Sequence, residues 1–215
     1  MADQMLIWGR ASSSNVQKVL WALAELDITF ERRDAGAHYG VVDTDEYRRM
    51  NPNGRVPTLV EGDFILYESN AIVRYLTQQH GGVLVPAGGN QGHALADQWM
   101  DWAATSFTQS MSAVFWHKVR TPKAKQDATQ FNVQYKAMIA GAGILDKRLG
   151  DTTWLAGEHF SMADIPTGAW MYRYYDIDIE RPDLPNLQRW YNALTERDAF
   201  RKTVMTSYDE LRVKE

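Results

Sequence analysis

Glu68 and Ser69 stand together where an apolar helical pattern begins, and an acid beside a hydroxyl at a helix start can do two kinds of work. As a cap, Ser69 accepts from a backbone N–H while Glu68 favours the positive helix end. As a ligand site, the first-turn N–H groups and the serine hydroxyl take a carboxylate, and the glutamate holds an ammonium. A molecule with both an α-carboxylate and an α-ammonium matches the second arrangement, and the residues alone leave both readings open. Upstream, Val56-Pro57-Thr58-Leu59-Val60 reads as a strand that opens on a residue unable to donate to a ladder. Taken alone, Pro57 fits a first-strand or edge position. With a cis Val56–Pro57 peptide, which costs an X–Pro bond about 0.5–1 kcal/mol, the chain turns. The N–H and C=O of Val56 then face outward, where an extended peptide can pair with them as an added strand.

The hydropathy pattern shows what must hold these groups. Met5-Leu6-Ile7-Trp8 reads as a strand stopped by Gly9. Ser12, Ser13, Ser14 and Asn15 occupy an N-cap position, and Val16, Val19, Leu20, Leu23 and Leu26 then line one helix face. Ile28 to Arg32 alternates as a second strand, so strand, helix and strand form a parallel βαβ unit. A loop over 34–42, a short helix from Asp43 to Met50 and the turn Asn51-Pro52-Asn53-Gly54 follow. A hairpin across Glu61-Gly62-Asp63 and a helix from Ser69 to about Gln79 complete residues 1–80 as an α/β unit with a mixed four-stranded sheet. The glycine-rich stretch from Gly81 to Gly92 predicts a linker over 81–91. Beyond it strand signals vanish. Helical patterns over Ala94–Lys118, Lys123–Leu149, Met162–Tyr175, Leu187–Thr195 and Ala199–Tyr208 make residues 92–215 an all-α bundle.

Bulk composition excludes several classes of function. A net charge of −4 and the absence of a basic run argue against a nucleic-acid surface or an anionic membrane partner. With no cysteine in 215 residues, disulfides, thiolate metal sites and a cysteine nucleophile are ruled out. His38, His80, His93, His117 and His159 show no metal-ligand spacing, so no metal is expected. Met1 to Arg10 lack the layout of a secretory signal, and no apolar run is long enough to span a bilayer. The expected location is the cytoplasm.

The block "NPNGRVPTLVEGDFILYESNAIVRYL" (51–76) resembles the glutathione-binding half of cytosolic glutathione S-transferases. The resemblance extends over essentially the whole chain, with a thioredoxin-like first unit and a helical second unit carrying the electrophile pocket. It supplies the ligand, since the γ-glutamyl end of glutathione is a free α-amino acid and its middle is a short peptide. By that resemblance Val56 and Pro57 take the cysteinyl backbone, Glu68 and Ser69 take the γ-glutamyl end, and Arg55 assists. "GEHFSMADIPTGAW" (157–170) resembles the family's capping motif. There Ser161 and Asp164 form a capping box and Phe160 with Ile165 a hydrophobic staple, a structural role.

A transferase of this kind needs its co-substrate as a thiolate. Tyrosine, used by some members near the end of the first strand, is replaced here by Trp8 and Gly9, and cysteine is absent. The resemblance is therefore to serine-type members, theta-, phi- or bacterial-like. Within "GRASSSNVQKVLWAL" (9–23) it points to Ser13, with Ser14 the alternative under a one-residue shift and Asn15 a second donor. Without that context the run reads simply as a cap. Phe107, Met111 and Phe115, ending at Trp116, form an apolar stripe that can line the electrophile pocket or belong to the core. The implied activity is conjugation of glutathione to a small hydrophobic electrophile by a two-fold homodimer. Disulfide reduction or peroxidase chemistry on the same site, and a non-catalytic docking module, are the alternatives.

Overall fold

The computed structural model describes residues 5–213. Residues 1–4 and 214–215 lie outside the described residues, and with them the outer ends of the two expected units and part of the Met1–Arg10 stretch. Four strands, β1 (Met5–Trp8), β2 (Phe30–Arg33), β3 (Thr58–Glu61) and β4 (Phe64–Tyr67), form one sheet in the order β2-β1-β3-β4. β1 and β2 are parallel, with Met5 opposite Phe30, as a crossover through α1 (Ser14–Glu25) requires. β3 runs antiparallel to β1 with Ile7 opposite Leu59, and the β3–β4 hairpin pairs Thr58 with Tyr67. β2 starts at Phe30 rather than Ile28 because the chain first closes α1. Asp27 takes a φ of 53°, and the Ile28 N–H returns to the Leu23 carbonyl at 3.0 Å. α2 (Asp45–Met50) starts after Asp43, where the Thr44 hydroxyl accepts from the Tyr47 N–H at 3.2 Å. α3 (Ser69–His80) leaves β4 with only Glu68 between them.

The second half is helical, as expected, with shifted boundaries. α4 (Gly89–Trp102) begins inside the glycine-rich stretch, ahead of Ala94. Gly92 permits this close approach, since a Cβ there would stand 1.7 Å from the Ala87 carbonyl oxygen. The helix expected over Ala94–Lys118 is present and runs on to Arg120, but its winding changes twice. A wide π-type segment at Ala103–Phe107 precedes α5 (Thr108–Phe115), and a second one covers Trp116–Arg120. α6 (Ala128–Asp151) starts later than Lys123, where the Asp127 carboxylate accepts from the Thr129 and Gln130 N–H groups. α7 (Asp164–Asp176), α8 (Pro185–Thr195) and α9 (Asp198–Thr203) complete the bundle. At α6 Gly141 admits the Phe107 ring, whose Cδ2 would lie 3.0 Å from a Cβ there, so close helix packing accounts for that glycine.

One helix joins the two halves. α1 packs on α3 from the first half and on α7 and α9 from the second. The sequence marks one apolar face, yet the run from Val16 to Leu23 is buried on every side, Gln17 and Lys18 included. Trp21 packs tilted against Phe160 and edge-to-face with Phe200, and Gly168 of α7 makes room for its ring.

The capping motif at 157–170 does more than cap. Asp164 is fully buried, and its carboxylate accepts from the Ser161 N–H (3.1 Å), the Leu155 N–H (3.1 Å) and the Trp190 indole (2.9 Å). The Ser161 hydroxyl accepts from Ala163 at 3.3 Å rather than from Asp164. Phe160 and Ile165, the expected staple, are both buried. Burial lifts the Asp164 pKa to about 6, against the pull of the three donors. Asp164→Ala strands three buried donors at once, and urea denaturation is expected to show a loss of about 3–5 kcal/mol.

Candidate active site

The serine-rich loop is held between two valines. Gly9 has a φ of 151°, and a Cβ there would lie 2.4 Å from Val16 Cγ2 and 3.2 Å from Val56 Cβ. Only glycine lets the chain pass at this distance, so the end of β1 brings the serine run against the Val56 bend. The three serines then have different surroundings. Ser12 is buried, its hydroxyl donates to the Glu210 carboxylate, and its carbonyl accepts from Arg173 Nη2 at 2.6 Å. Arg173 also donates to Gln17 Oε1 at 3.3 Å, and Gln17 reaches Thr206 at 3.0 Å. Ser13 is the N-cap residue of α1 but makes no side-chain cap bond. Ser13 and Ser14 both line a cavity, and among the described residues neither hydroxyl has a hydrogen-bond partner.

The Val56–Pro57 peptide is cis, and the β3 ladder starts only at Thr58. Both flanks of the bend are pinned. The Arg55 carbonyl accepts from the Tyr47 hydroxyl and from Asn51 Nδ2, each at 2.8 Å. The Thr58 hydroxyl meets the same two side chains at 2.9 and 3.2 Å. Tyr47 and Asn51 are themselves buried, so the bend is fixed from beneath. Arg55 and Val56 face the cavity, whereas Pro57 is buried.

Glu68 and Ser69 lie outside the cavity lining and connect to it through one residue. Ser69 is buried, and its hydroxyl donates to Asn15 Oδ1 at 3.4 Å, while Asn15 lines the cavity. Glu68 precedes α3 with a φ of 69°, a conformation costly for a residue with a Cβ, and its carboxylate makes no cap bond. Beneath them sits a cation that patterning did not single out. Lys18 Nζ is fully buried, 3.4 Å from both Ser69 Oγ and Asn70 Oδ1. Burial lowers its pKa to about 8, and the nearby Glu68 charge opposes that shift.

The cavity measures about 520 Å³ and lies between the serine loop, the Val56 bend and the helical half. Phe115 and Trp116 form part of its wall, but Phe107 and Met111 do not. Both are fully buried among the helices, Phe107 in the notch at Gly141 and stacked on Trp102. The expected stripe is thus displaced by one position, and Thr108 and Ser112 present polar groups to the cavity. Trp170 and Arg173 of α7 close the wall, with the Arg173 guanidinium over the Phe115 ring at 4.9 Å. Burial lowers the Arg173 pKa to about 10. Arg10 and Arg120 face the same space. The spacing of Trp116 and Arg120, one helical turn apart, was a readable signal for a ring and a cation on one face. Nothing local in the sequence marks Lys18 or Arg173 as buried.

Two family models match the chain, the N-terminal domain of glutathione S-transferase over residues 8–84 and its C-terminal domain over residues 107–198. The chain belongs to the glutathione S-transferase family. Glutathione S-transferase GstB of Escherichia coli is 39% identical to this transferase over 201 residues, covering 93% of this chain and 97% of the relative. The crystal structure of a theta-class glutathione S-transferase from Xanthomonas axonopodis pv. citri, with glutathione bound, is 40% identical. It superposes with a TM-score of 0.91 over 95% of this chain and 99% of that one. A glutathione transferase of Phanerochaete chrysosporium, 24% identical with a TM-score of 0.85 over 94% of each chain, shares the fold. These likenesses identify the activity as glutathione transfer and the architecture as the family's two-part fold.

Lys18 connects the site to stability. Folding lowers its pKa from 10.5 to about 8, so the native chain holds that proton less tightly than the unfolded chain. Stability from this group therefore rises with pH between about 8 and 10.5, and below that window the buried charge costs roughly 3 kcal/mol. Lys18→Met is expected to raise stability at pH 7 and to flatten the alkaline rise, as read by urea denaturation across that range.

Proposed function

We propose that glutathione lies along the line from Ser69 to Val56, with its sulfur at the N-terminus of α1. There it is held as thiolate by the Ser13 hydroxyl and transferred to a small electrophile in the adjoining cavity. The observation that carries this reading is the unused Ser13 hydroxyl. It occupies the N-cap position of α1, makes no cap bond and faces the cavity. An N-cap serine that does not cap is free to donate to an anion, and the first-turn dipole adds to the effect. A free thiol has a pKa of about 8.5. One hydrogen bond to an anion, about 1.5–3 kcal/mol, corresponds to a depression of about one to two units. Ser14 is the second hydroxyl at hand, and Asn15 closes the row toward Ser69.

The rest of the tripeptide follows from the same surfaces. The Val56 amide and carbonyl, ahead of the β3 ladder, pair with the cysteinyl backbone. The first-turn N–H groups of α3 and the Ser69 hydroxyl take the γ-glutamyl carboxylate, with Lys18 beneath, and Glu68 takes the ammonium. The related structures support a glutathione ligand, since the 40% identical theta-class enzyme has glutathione bound. The electrophile sits against Phe115, Trp116 and Trp170. As in the family, we propose a two-fold homodimer acting in the cytoplasm, with a first unit over 1–80, a linker over 81–91 and a helical unit over 92–215. Exposed Phe64, Ile65 and Leu95 are consistent with a surface covered by a second copy. No helix among the described residues is long and apolar enough to cross a membrane.

Titration of enzyme-bound glutathione by thiolate absorbance tests the central assignment. Ser13→Ala is expected to raise the bound thiol pKa by a unit or more and to lower kcat at neutral pH about tenfold, with little change in the KM for glutathione. An unchanged pKa in Ser13→Ala and a raised one in Ser14→Ala would move the role to Ser14. The bend has its own test. Asn51→Ala removes a donor to both the Arg55 carbonyl and the Thr58 hydroxyl, and steady-state kinetics are expected to show a several-fold rise in the KM for glutathione.

A further inference from the structure

Four arginines, Arg10, Arg55, Arg120 and Arg173, face the cavity, and among the described residues no carboxylate does. The chain as a whole carries a net charge of −4, so this concentration of positive charge is local. Two of the four are accounted for. Arg173 is spent on the Ser12 carbonyl and Gln17, and Arg55 is exposed beside the Val56 bend at the tripeptide end. Arg10 and Arg120 remain. Among the described residues neither has a carboxylate within 4.0 Å, and Arg10 Nε is buried without a hydrogen-bond partner. The Arg120 guanidinium lies over the Trp116 ring at 4.7 Å, which fixes it without using its N–H donors. The two charges disfavour each other, and Glu210, which attracts Arg10, already accepts from Ser12.

We propose that the preferred electrophile of this transferase is a planar, aromatic molecule bearing a carboxylate, which Arg120 and Arg10 bind while the ring lies against Phe115, Trp116 and Trp170. The proposal rests on the assignment of the thiolate to the Ser13 end of the cavity. Guanidinium groups suit this ligand because their forked donors match a carboxylate, and their planar faces tolerate neighbouring rings. An anion here relieves the repulsion between the two cations, whereas a neutral electrophile leaves both charges unmatched in a partly enclosed space. The reaction remains a substitution. The thiolate sulfur forms a bond to the ring carbon that carries chloride, the C–Cl electron pair leaves with chloride, and nothing is oxidised or reduced.

The test compares 4-chloro-3,5-dinitrobenzoate with 4-chloro-3,5-dinitrobenzamide, each kcat/KM divided by the uncatalysed rate with glutathione. The parent enzyme is expected to favour the benzoate by about tenfold or more, the factor one charge-assisted hydrogen bond supplies. That preference is expected to fall toward one in Arg120→Met and in Arg10→Met. A preference near one in the parent enzyme, or one unchanged in both variants, overturns the proposal. So does an effect confined to the KM for glutathione, which would assign these arginines to a carboxylate of the tripeptide. Absence of turnover with either compound counts against the transferase reading of the site, and binding then decides the proposal separately. Tryptophan quenching by unreactive 3,5-dinitrobenzoate, weakened in Arg120→Met and stronger than that by 3,5-dinitrobenzamide, upholds it, and equal quenching by the two sinks it.

Discussion

The enclosure of α1 is the constraint from which the rest of this molecule follows. A helix packed on α3 on one side and on α7 and α9 on the other leaves no solvent-facing stripe from Val16 to Leu23. Its buried polar residues must therefore find partners inside, and Gln17 and Lys18 do so near the candidate site. Gln17 links Arg173 to Thr206, and Lys18 reaches Ser69 and Asn70. The N-terminus of α1 opens onto the cavity, and there stand the hydroxyls of Ser13 and Ser14, which have no partner among the described residues. Packing thus decides which end of the helix is available to an anion, and the end left open is the electrostatically favourable one.

The two halves of the chain divide the work, although neither forms the cavity alone. The first half contributes main-chain groups at Val56 and hydroxyls at the start of α1, held by Gly9, Tyr47 and Asn51. The helical half contributes rings and guanidinium groups, and it also holds the serine loop directly. Arg173 grips the Ser12 carbonyl, while Glu210 receives the Ser12 hydroxyl. A change on α7 is therefore felt at the thiol end of the site as well as at the acceptor wall.

Much of this was legible in the sequence, and the gaps have physical causes. Local rules located β1, α1, the hairpin and α3 because their patterns are short-range, and the cis bond at Val56–Pro57 was foreseen from proline chemistry and resemblance. Boundaries moved where backbone detail intervened, as at Ile28, which closes α1 before β2 can start. The acceptor stripe keeps its helical spacing across α5, and of its two readings the core holds for Phe107 and Met111, because periodicity marks an apolar face without saying what lies against it. Thr108 and Ser112, one position on, take the wall. Lys18 and Arg173 were invisible for a different reason. Their burial is imposed by elements far away in the chain, and nothing in their neighbours records it.

The wide segments at 103–107 and 116–120 have an evolutionary corollary. The first accommodates an additional residue without breaking the rod, whereas the second ends it at Thr121, and one residue corresponds to roughly 100° of rotation about the axis. An indel at the first point would dial a fresh set of side chains toward the neighbouring chamber while the rest of the lineage's sequence stood still. Diversification of acceptor chemistry in such a scaffold need not wait for point substitutions, because slippage of the rod's register can supply it in a single event.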